Sequence, residues 1–332
     1  MRTISLKNPV RIISCAAVGG KQEGLGPLGT LFDEIEQDSF CGRDTWEQAE
    51  SELQSRCLHH ALRKGGLQSE DISLALSGDL MNQCIGATFA LRDEHIPFCG
   101  VYGACSTMGE ALMLSSLLID GGHITTAAAL TSSHYCTAER QYRAPVPYGS
   151  QRSPTAQWTA TAAGCCILNR QGTGPRITHA CPGIIVDMGI TDITNMGAAM
   201  APAAINTLST IFRDTQTTPQ DYDLILTGDL GQLGHDIVVD LMLQDGYDLR
   251  KNYHDCGLLL YDRQKQDMHA GGSGAGCSAS VLCAWLLPQL QQKSLHRVLF
   301  APTGALLSPT SSFQGESVPG ICHGIILEQP AP

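Results

Sequence analysis

Nowhere in the 332 residues do two cysteines stand three positions apart, although the chain carries 14 of them. That absence removes the C-x-x-C frame of zinc ribbons and thioredoxin-like redox sites. Charge is scarce: Asp, Glu, Lys and Arg make up 16%, and the formal net charge is −11. No dense Lys/Arg cluster offsets it, so an acidic surface argues against nucleic acid as a partner. No apolar run reaches the roughly 20 residues of a membrane span, so any membrane association is expected to be peripheral. The opening MRTISLKNPV lacks the apolar core of a secretory leader. The cysteines often sit inside apolar runs, as in AAGCCILN (162–169) and SVLCAWLL (280–287). They are expected to be reduced, buried, small hydrophobes in a cytosolic-type compartment. EF-hand spacing is also missing. No cofactor and no protein-built metal site is expected.

What is present is glycine, 35 residues of it, in a chain that is 43% hydrophobic. That composition fits a compact, loop-rich globular protein. Two buried strands end alike: ISLALSGDLMNQ (72–83) and DLILTGDLGQL (223–233), their Gly-Asp-Leu endings 150 residues apart. Each is followed by a second shared pattern, YGACSTMGEALMLSSLLIDGGHITTAAALTSS (102–133) and GSGAGCSASVLCAWLLPQLQQKSLHRVLFAPTGALLS (272–308). In both, small residues lead through Cys-Ser into an apolar helical run, a polar turn and a buried strand. Cys105 pairs with Cys277 in this alignment.

Each unit also has a helix before its Gly-Asp-Leu strand. Thr45 and Gln48 form a capping box for WEQAESELQSRCLHHALRKGG, which Gly65-Gly66 stops. MGAAMAPAAINTLSTIFRD (196–214) has apolar residues at helical spacing, with Pro202 early in it or kinking it. Strands alternating with helices predict a mostly parallel sheet covered by helices. The hinge between the copies falls in NRQGTGPRI (169–177), giving halves 1–170 and 171–332.

Cys105 is the candidate nucleophile. It sits where a loop enters a helix, and N–H groups there favour negative charge, so a lowered thiol pKa is expected. A duplicated α/β chain in which Ala-Cys-Ser opens a long buried helix resembles the thiolase superfamily, which includes the β-ketoacyl synthases. GACSTMGEAL matches the element that carries the cysteine. AGGSGAGCSAS (270–280) matches the second-half Gly/Ser-rich entry, and ICHGIIL (321–327) the C-terminal glycine loop. The resemblance implies two pseudo-twofold βαβ-type halves in five layers (α/β/α/β/α). It departs at the acid–base residues: Gly228-Asp229 stand where the condensing enzymes keep a histidine, and Gly272, Ser273 and Gly274 where they keep an asparagine. Without these the usual stabilisation of an oxyanion is missing. Cys322 and His323 supply part of a thiolase-like site but do not rebuild one.

A closer resemblance runs from about Pro9 to Glu328. EGLGPLGTLFDE, SGDLMNQ, TSSHYCTAERQYRAPVPYG, VDMGITDITNMGAAMAPAA, LILTGDLGQLG, HDCGLLLYD and TGALLSPT are similar to the stage V sporulation protein AD family. That likeness implies a non-enzymatic role: binding dipicolinic acid, or its calcium chelate, within the SpoVA machinery of spore formation and germination. It also implies other SpoVA membrane proteins as partners at the spore inner membrane, and a homodimer is compatible with it.

Dipicolinate is a flat ring with two carboxylates, and it needs N–H donors, hydroxyls and a cation around a slot. The turn at Cys105 and Ser106 offers N–H groups. Ser132, Ser133 and His134 end a buried strand, with Arg140 and Arg143 a few residues on, and a guanidinium matches a carboxylate fork. Ser273 and His323 complete the set. Asp79 and Asp229 would repel a bare dianion but could accept hydrogen bonds from the opposite loop or face calcium. Strand-end capping for Ser133 and His134, a salt bridge for the arginines and a structural pairing for His254 and Asp255 stand beside these readings. So do an acyltransferase using Cys105 with His323 as base, and a scaffold subunit with a vestigial pocket.

Overall fold

The computed structural model describes residues 1–142 and 152–330, so Arg143 lies outside the described residues. The first part of the chain forms strand β1 (Ile4–Gly19), helix α1 (Trp46–Gly65), β2 (Leu74–Gly78), α2 (Ile85–Leu91), β3 (Phe98–Gly100), α3 (Thr107–Asp120), β4 (Thr126–Ser133), α4 (Tyr135–Tyr142) and β5 (Ala162–Asn169). The remainder forms β6 (Arg176–Cys181), α5 (Met196–Thr215), β7 (Leu224–Thr227), α6 (Gly231–Gln244), β8 (Tyr253–Asp255), α7 (Ala275–Val281), β9 (Arg297–Ala301) and β10 (Gly324–Glu328).

Local chemistry sets several of these boundaries. The Thr45 side chain accepts the Gln48 N–H at the start of α1, and Gly66 ends that helix in the left-handed conformation. The Gln48 side chain reaches back to the Asp44 N–H, one residue beyond the expected box. Asn195 caps α5 through the Ala198 N–H, and Pro202 lies inside that helix.

The strands join in the order β8-β7-β9-β10-β6-β1-β5-β4-β2-β3. This order reads the same from both ends once five is added to each strand number of one wing. Within a wing the outer three strands are parallel, as β3 with β2 and β2 with β4, or β8 with β7 and β7 with β9. Parallel neighbours need helical crossovers, which α2 and α3 supply in one wing and α6 and α7 in the other. The wings meet where β1 pairs antiparallel with β6.

Alternation along the strands separates the layers. Ala127 and Ala129 of β4 face a central cluster, while Ala128 and Leu130 face another packed on α1. On β9, Val298 and Phe300 join the same central cluster, and Leu299 and Ala301 pack with α5 and α6. The centre is filled by Met108, Ala111 and Leu112 of α3 and Cys277, Ala279 and Val281 of α7. Five layers result, α/β/α/β/α, as expected. The two central helices enter the middle from opposite wings, so their N-terminal turns converge. Among the described residues, no helix is long and apolar enough to cross a membrane.

Candidate functional site

The chain leaves β3 at Gly100 and turns through Ala104, whose φ is +50°. That is the left-handed region, unfavourable for a residue with a Cβ. The turn is held by Ser106 N–H to Gly103 O at 3.0 Å, by Thr107 Oγ1 to Ala104 O at 2.6 Å and by Gly103 N–H to Thr107 Oγ1 at 3.1 Å. The Ser106 hydroxyl is spent on Gly103 O at 2.7 Å. Cys105 is thereby fixed at the tip, immediately before α3. The strand Thr303–Ala305 lies against it so closely that a Cβ on Gly304 would run into the Gly103 carbonyl.

Facing Cys105 from the other wing is Asp229, fully buried. One carboxylate oxygen accepts from Ser273 Oγ and the Gly274 N–H, both at 3.0 Å. The other accepts from Thr303 Oγ1 at 3.0 Å. The Cys105 thiol is a further donor to this carboxylate. Burial pushes the Asp229 pKa up to about 6, against the hydrogen bonds that favour the charge. Gly274, with φ +99°, turns the chain so that its N–H meets the carboxylate just before α7.

The same contacts reverse the expected lowering of the thiol pKa. Burial comes first and the Asp229 charge second, and together they raise the Cys105 pKa well above that of a free thiol. Apolar cover completes the effect: Leu80, Ala138, Ala275 and Tyr142 pack around the sulfur. Tyr142 bonds the Leu80 carbonyl and meets the Tyr102 hydroxyl at 2.8 Å. Cys105 is therefore a neutral S–H donor. In the native protein at pH 8, alkylation by iodoacetamide will be at least about 100-fold slower at Cys105 than at the exposed Cys99. Peptide mass spectrometry over time measures the ratio, and equal rates would refute the neutral thiol.

The other expected site residues divide. Ser273 joins Cys105 and Asp229, and Ser133 borders them: its hydroxyl donates to Ala160 O at 2.6 Å and accepts the Gly276 N–H of α7 at 3.0 Å. His134 does not join them. Its Nδ1 accepts the Cys136 N–H, so Nε2 carries the proton and donates to Ser39 O at 2.8 Å. Burial lowers its pKa, and the ring is a structural group. His323 is likewise committed: Nδ1 accepts the Gly183 N–H at 3.1 Å, and burial lowers the pKa to about 4. Cys322 donates to Ala301 O and its pKa is raised by burial. Neither residue is engaged with Cys105. Arg140 pairs with Glu47 and stacks over Trp46. His254 and Asp255 are not a pair: Asp255 accepts from the Leu230 and Gly231 N–H groups at the start of α6, and from Gly257.

Asp79 matches Asp229 in sequence but not in use. Its carboxylate accepts the Met81 and Ala87 N–H groups at 2.8 and 2.7 Å and so anchors its own α2. Beside it lies Glu50, fully buried on α1. Glu50 contacts Ser132 Oγ at 3.1 Å and Thr137 Oγ1 at 2.6 Å. Thr137 Oγ1 also meets His134 O at 2.9 Å. A hydroxyl has one proton, so both contacts are satisfied when Glu50 is protonated and donates to Thr137. Burial and then the Asp79 charge raise the Glu50 pKa in the same sense. Sequence reasoning missed Glu50, Thr303 and Gln157. Glu50 had a signal: with Gln54 one turn on, it falls in the arc of Ala49, Leu53 and Cys57, the buried face of α1.

A cleft of about 360 Å³ opens outside α4, lined by Glu47, Met81, Asn82, Ile85, Arg140 and Gln141 among others. The α4 residues Arg140 and Gln141 face this cleft, while Ala138 and Tyr142 cover Cys105.

A two-winged α/β/α/β/α sheet with a cysteine at the entrance of a central helix defines the thiolase-like fold. Solved structures agree on that fold. OleA from Xanthomonas campestris covers 98% of this chain and 99% of its own at TM-score 0.64 and 14% identity. The 3-oxoacyl-[acyl-carrier-protein] synthase III of Aquifex aeolicus covers 96% and 99% at TM-score 0.60 and 11% identity. The family shown by sequence is a different one: residues 1–328 match stage V sporulation protein AD. The Bacillus subtilis (strain 168) protein of that name is 43% identical over 328 residues, 99% of this chain and 97% of its own. The chain belongs to the stage V sporulation protein AD family.

Proposed function

We propose that the chain binds dipicolinate, free or as its calcium chelate, without chemistry, as the soluble component of a spore inner-membrane SpoVA assembly. The observation that carries this reading is the cleft beside α4. Arg140 supplies a guanidinium for a carboxylate, Asn82 and Gln141 supply amides, and Met81 and Ile85 supply apolar walls for the ring. Its volume lies at the small end of the roughly 300–1,000 Å³ of small-molecule sites. Glu47, now paired with Arg140, is placed to meet the calcium of a chelate or to be displaced by a free carboxylate.

The Cys105 centre supports the non-catalytic part. Where the condensing enzymes keep an acid–base histidine, the Asp229 carboxylate faces the thiol and holds it protonated instead of activating it. A raised thiol pKa and no imidazole on the sulfur among the described residues disfavour acyl transfer.

Calorimetric titration with dipicolinate, with and without calcium, tests the proposal. Saturable binding is expected in the wild type, weakened about tenfold or more by Arg140→Ala, since a charge-assisted bond of roughly 1.5–3 kcal/mol is lost. Cys105→Ala reports whether the ligand reaches behind α4. Absence of binding in both arms would leave the scaffold reading. Turnover through a Cys105 thioester, on incubation with acyl-coenzyme A donors, would replace binding by catalysis.

A further inference from the structure

Helix α6 buries only one narrow side. Gly231, Gly234, Val238 and Met242 face the core. Along its flank run Leu233, Ile237 and Leu241 at intervals of four, which places them in one row; Ile237, in the middle, is half-buried and packs against the core. Leu233 and Leu241 are 37% and 41% exposed, so the two ends of this row present apolar side chains to solvent. Two turns of separation make it about 12 Å long.

A row of acids runs beside this apolar row. Asp236 and Asp240 are exposed on the same outward side, and Asp245 follows the helix end. Between Gly231 and Leu249 there is no Lys or Arg. Asp240 has no hydrogen bond or ion pair among the described residues, and Asp236 contacts only Gln232 and His235. Arg263 is engaged on Gln232 and Arg250 on Asp248, so neither neutralises the row. At its inner edge the helix is anchored to β8, where His235 stacks on Tyr253 at 4.7 Å.

We propose that the outward face of α6 is a docking surface for a partner helix that is amphipathic and basic, its apolar stripe on Leu233 and Leu241 and its Lys or Arg residues against Asp236 and Asp240. Charge decides between occupants. A second copy docked about a twofold axis would set the acidic row against itself. An anionic lipid surface would be repelled by the same row. A basic helix satisfies both rows at once, in the helix-in-groove manner of peptide recognition.

The full-length protein is titrated into a fluorescein-labelled 18-residue helix built of Leu on one face and Lys beside it, read by fluorescence anisotropy. Saturable binding is expected, weakened at least tenfold by Leu233→Ser with Leu241→Ser and severalfold by Asp236→Asn with Asp240→Asn. Leu25→Ser, at an exposed leucine elsewhere, should leave it unchanged. Circular dichroism confirms that the variants are folded. No saturable binding, or binding unmoved by both double variants, overturns the proposal. Dimerisation in light scattering that Leu233→Ser with Leu241→Ser abolishes would assign the face to a second copy. Sedimentation with phosphatidylglycerol vesicles abolished by the same variant would assign it to lipid. Either result overturns the basic-helix occupant.

Discussion

Asp229→Ala lowers the unfolding free energy by about 3 kcal/mol. The Gly274 N–H cannot turn to another acceptor, and Ser273 and Thr303 lose theirs at the same time. A buried donor left without a partner costs roughly 1–3 kcal/mol, and the cavity adds to it. Part is returned, because a buried carboxylate at neutral pH carries a desolvation cost and faces Asp255. The hub also joins the wings: Gln157, from the first part of the chain, donates to the Asp229 carbonyl. Urea unfolding measures the change. Asp229→Asn separates packing from electrostatics, since it keeps the volume and removes the charge that raises the Cys105 pKa. Alkylation of Cys105 should then quicken relative to Cys99. A destabilisation below about 0.5 kcal/mol in the alanine variant would mean the hub is dispensable.

The contrast between the two Gly-Asp-Leu endings shows what the sequence carried and what it did not. Both strands and both loops were legible, because a buried apolar run stopped by Gly is a local signal. Helix α1 was legible at both ends for the same reason: Thr45 and Gly66 act within their own turn. The duplicated strand order follows from these local units and their repetition. The roles of the two aspartates were not legible. Asp79 folds back on α2 through a left-handed turn at Gln83 and Cys84, whereas Asp229 is followed by a left-handed Gly231 and faces across to Cys105. Identical tripeptides thus receive different partners: Asp79 turns to N–H groups in its own loop and helix, whereas Asp229 is met by residues 44 to 74 positions away, which no window of sequence reports.

The state of Cys105 fails to follow from sequence for a related reason. A helix N-terminus lowers a thiol pKa when the sulfur is solvated and no acid is near. Here Cys105 is 6% exposed and the charge of an aspartate from the other wing opposes ionisation of its thiol. Desolvation and one charge outweigh the end of the helix. Arg140 lies on the side of α4 that faces the cleft, while Ala138 and Tyr142 of the same helix face inward.

Glu50→Gln makes stability nearly independent of one proton between about pH 4 and 8. Glu50 sits between Ser132 of β4, Thr137 of α4, Gln54 of its own helix and Asp79 at the end of β2. None of these groups is cationic, so burial and the Asp79 charge lift its pKa to about 8, and burial lifts that of Asp79 to about 6. Unfolded, both return to the ordinary range near 4. Over the interval the folded state holds protons that the unfolded state has released. Stability is then fully present below the unfolded pKa and falls as pH rises through the folded one. The slope from Glu50 is at most about 1.4 kcal/mol per pH unit. Glutamine retains one acceptor and adds an amide donor, so Ser132 and Thr137 keep partners while the titration disappears. Urea melts at pH 5, 6.5 and 8 should show the wild type losing stability toward pH 8, with Glu50→Gln losing less by about one proton's slope. Asp229, Glu23 and Asp255, whose pKa values burial also raises, keep a residual decline in both proteins. Equal slopes in the two proteins would place the proton elsewhere and leave Glu50 ionised against Asp79.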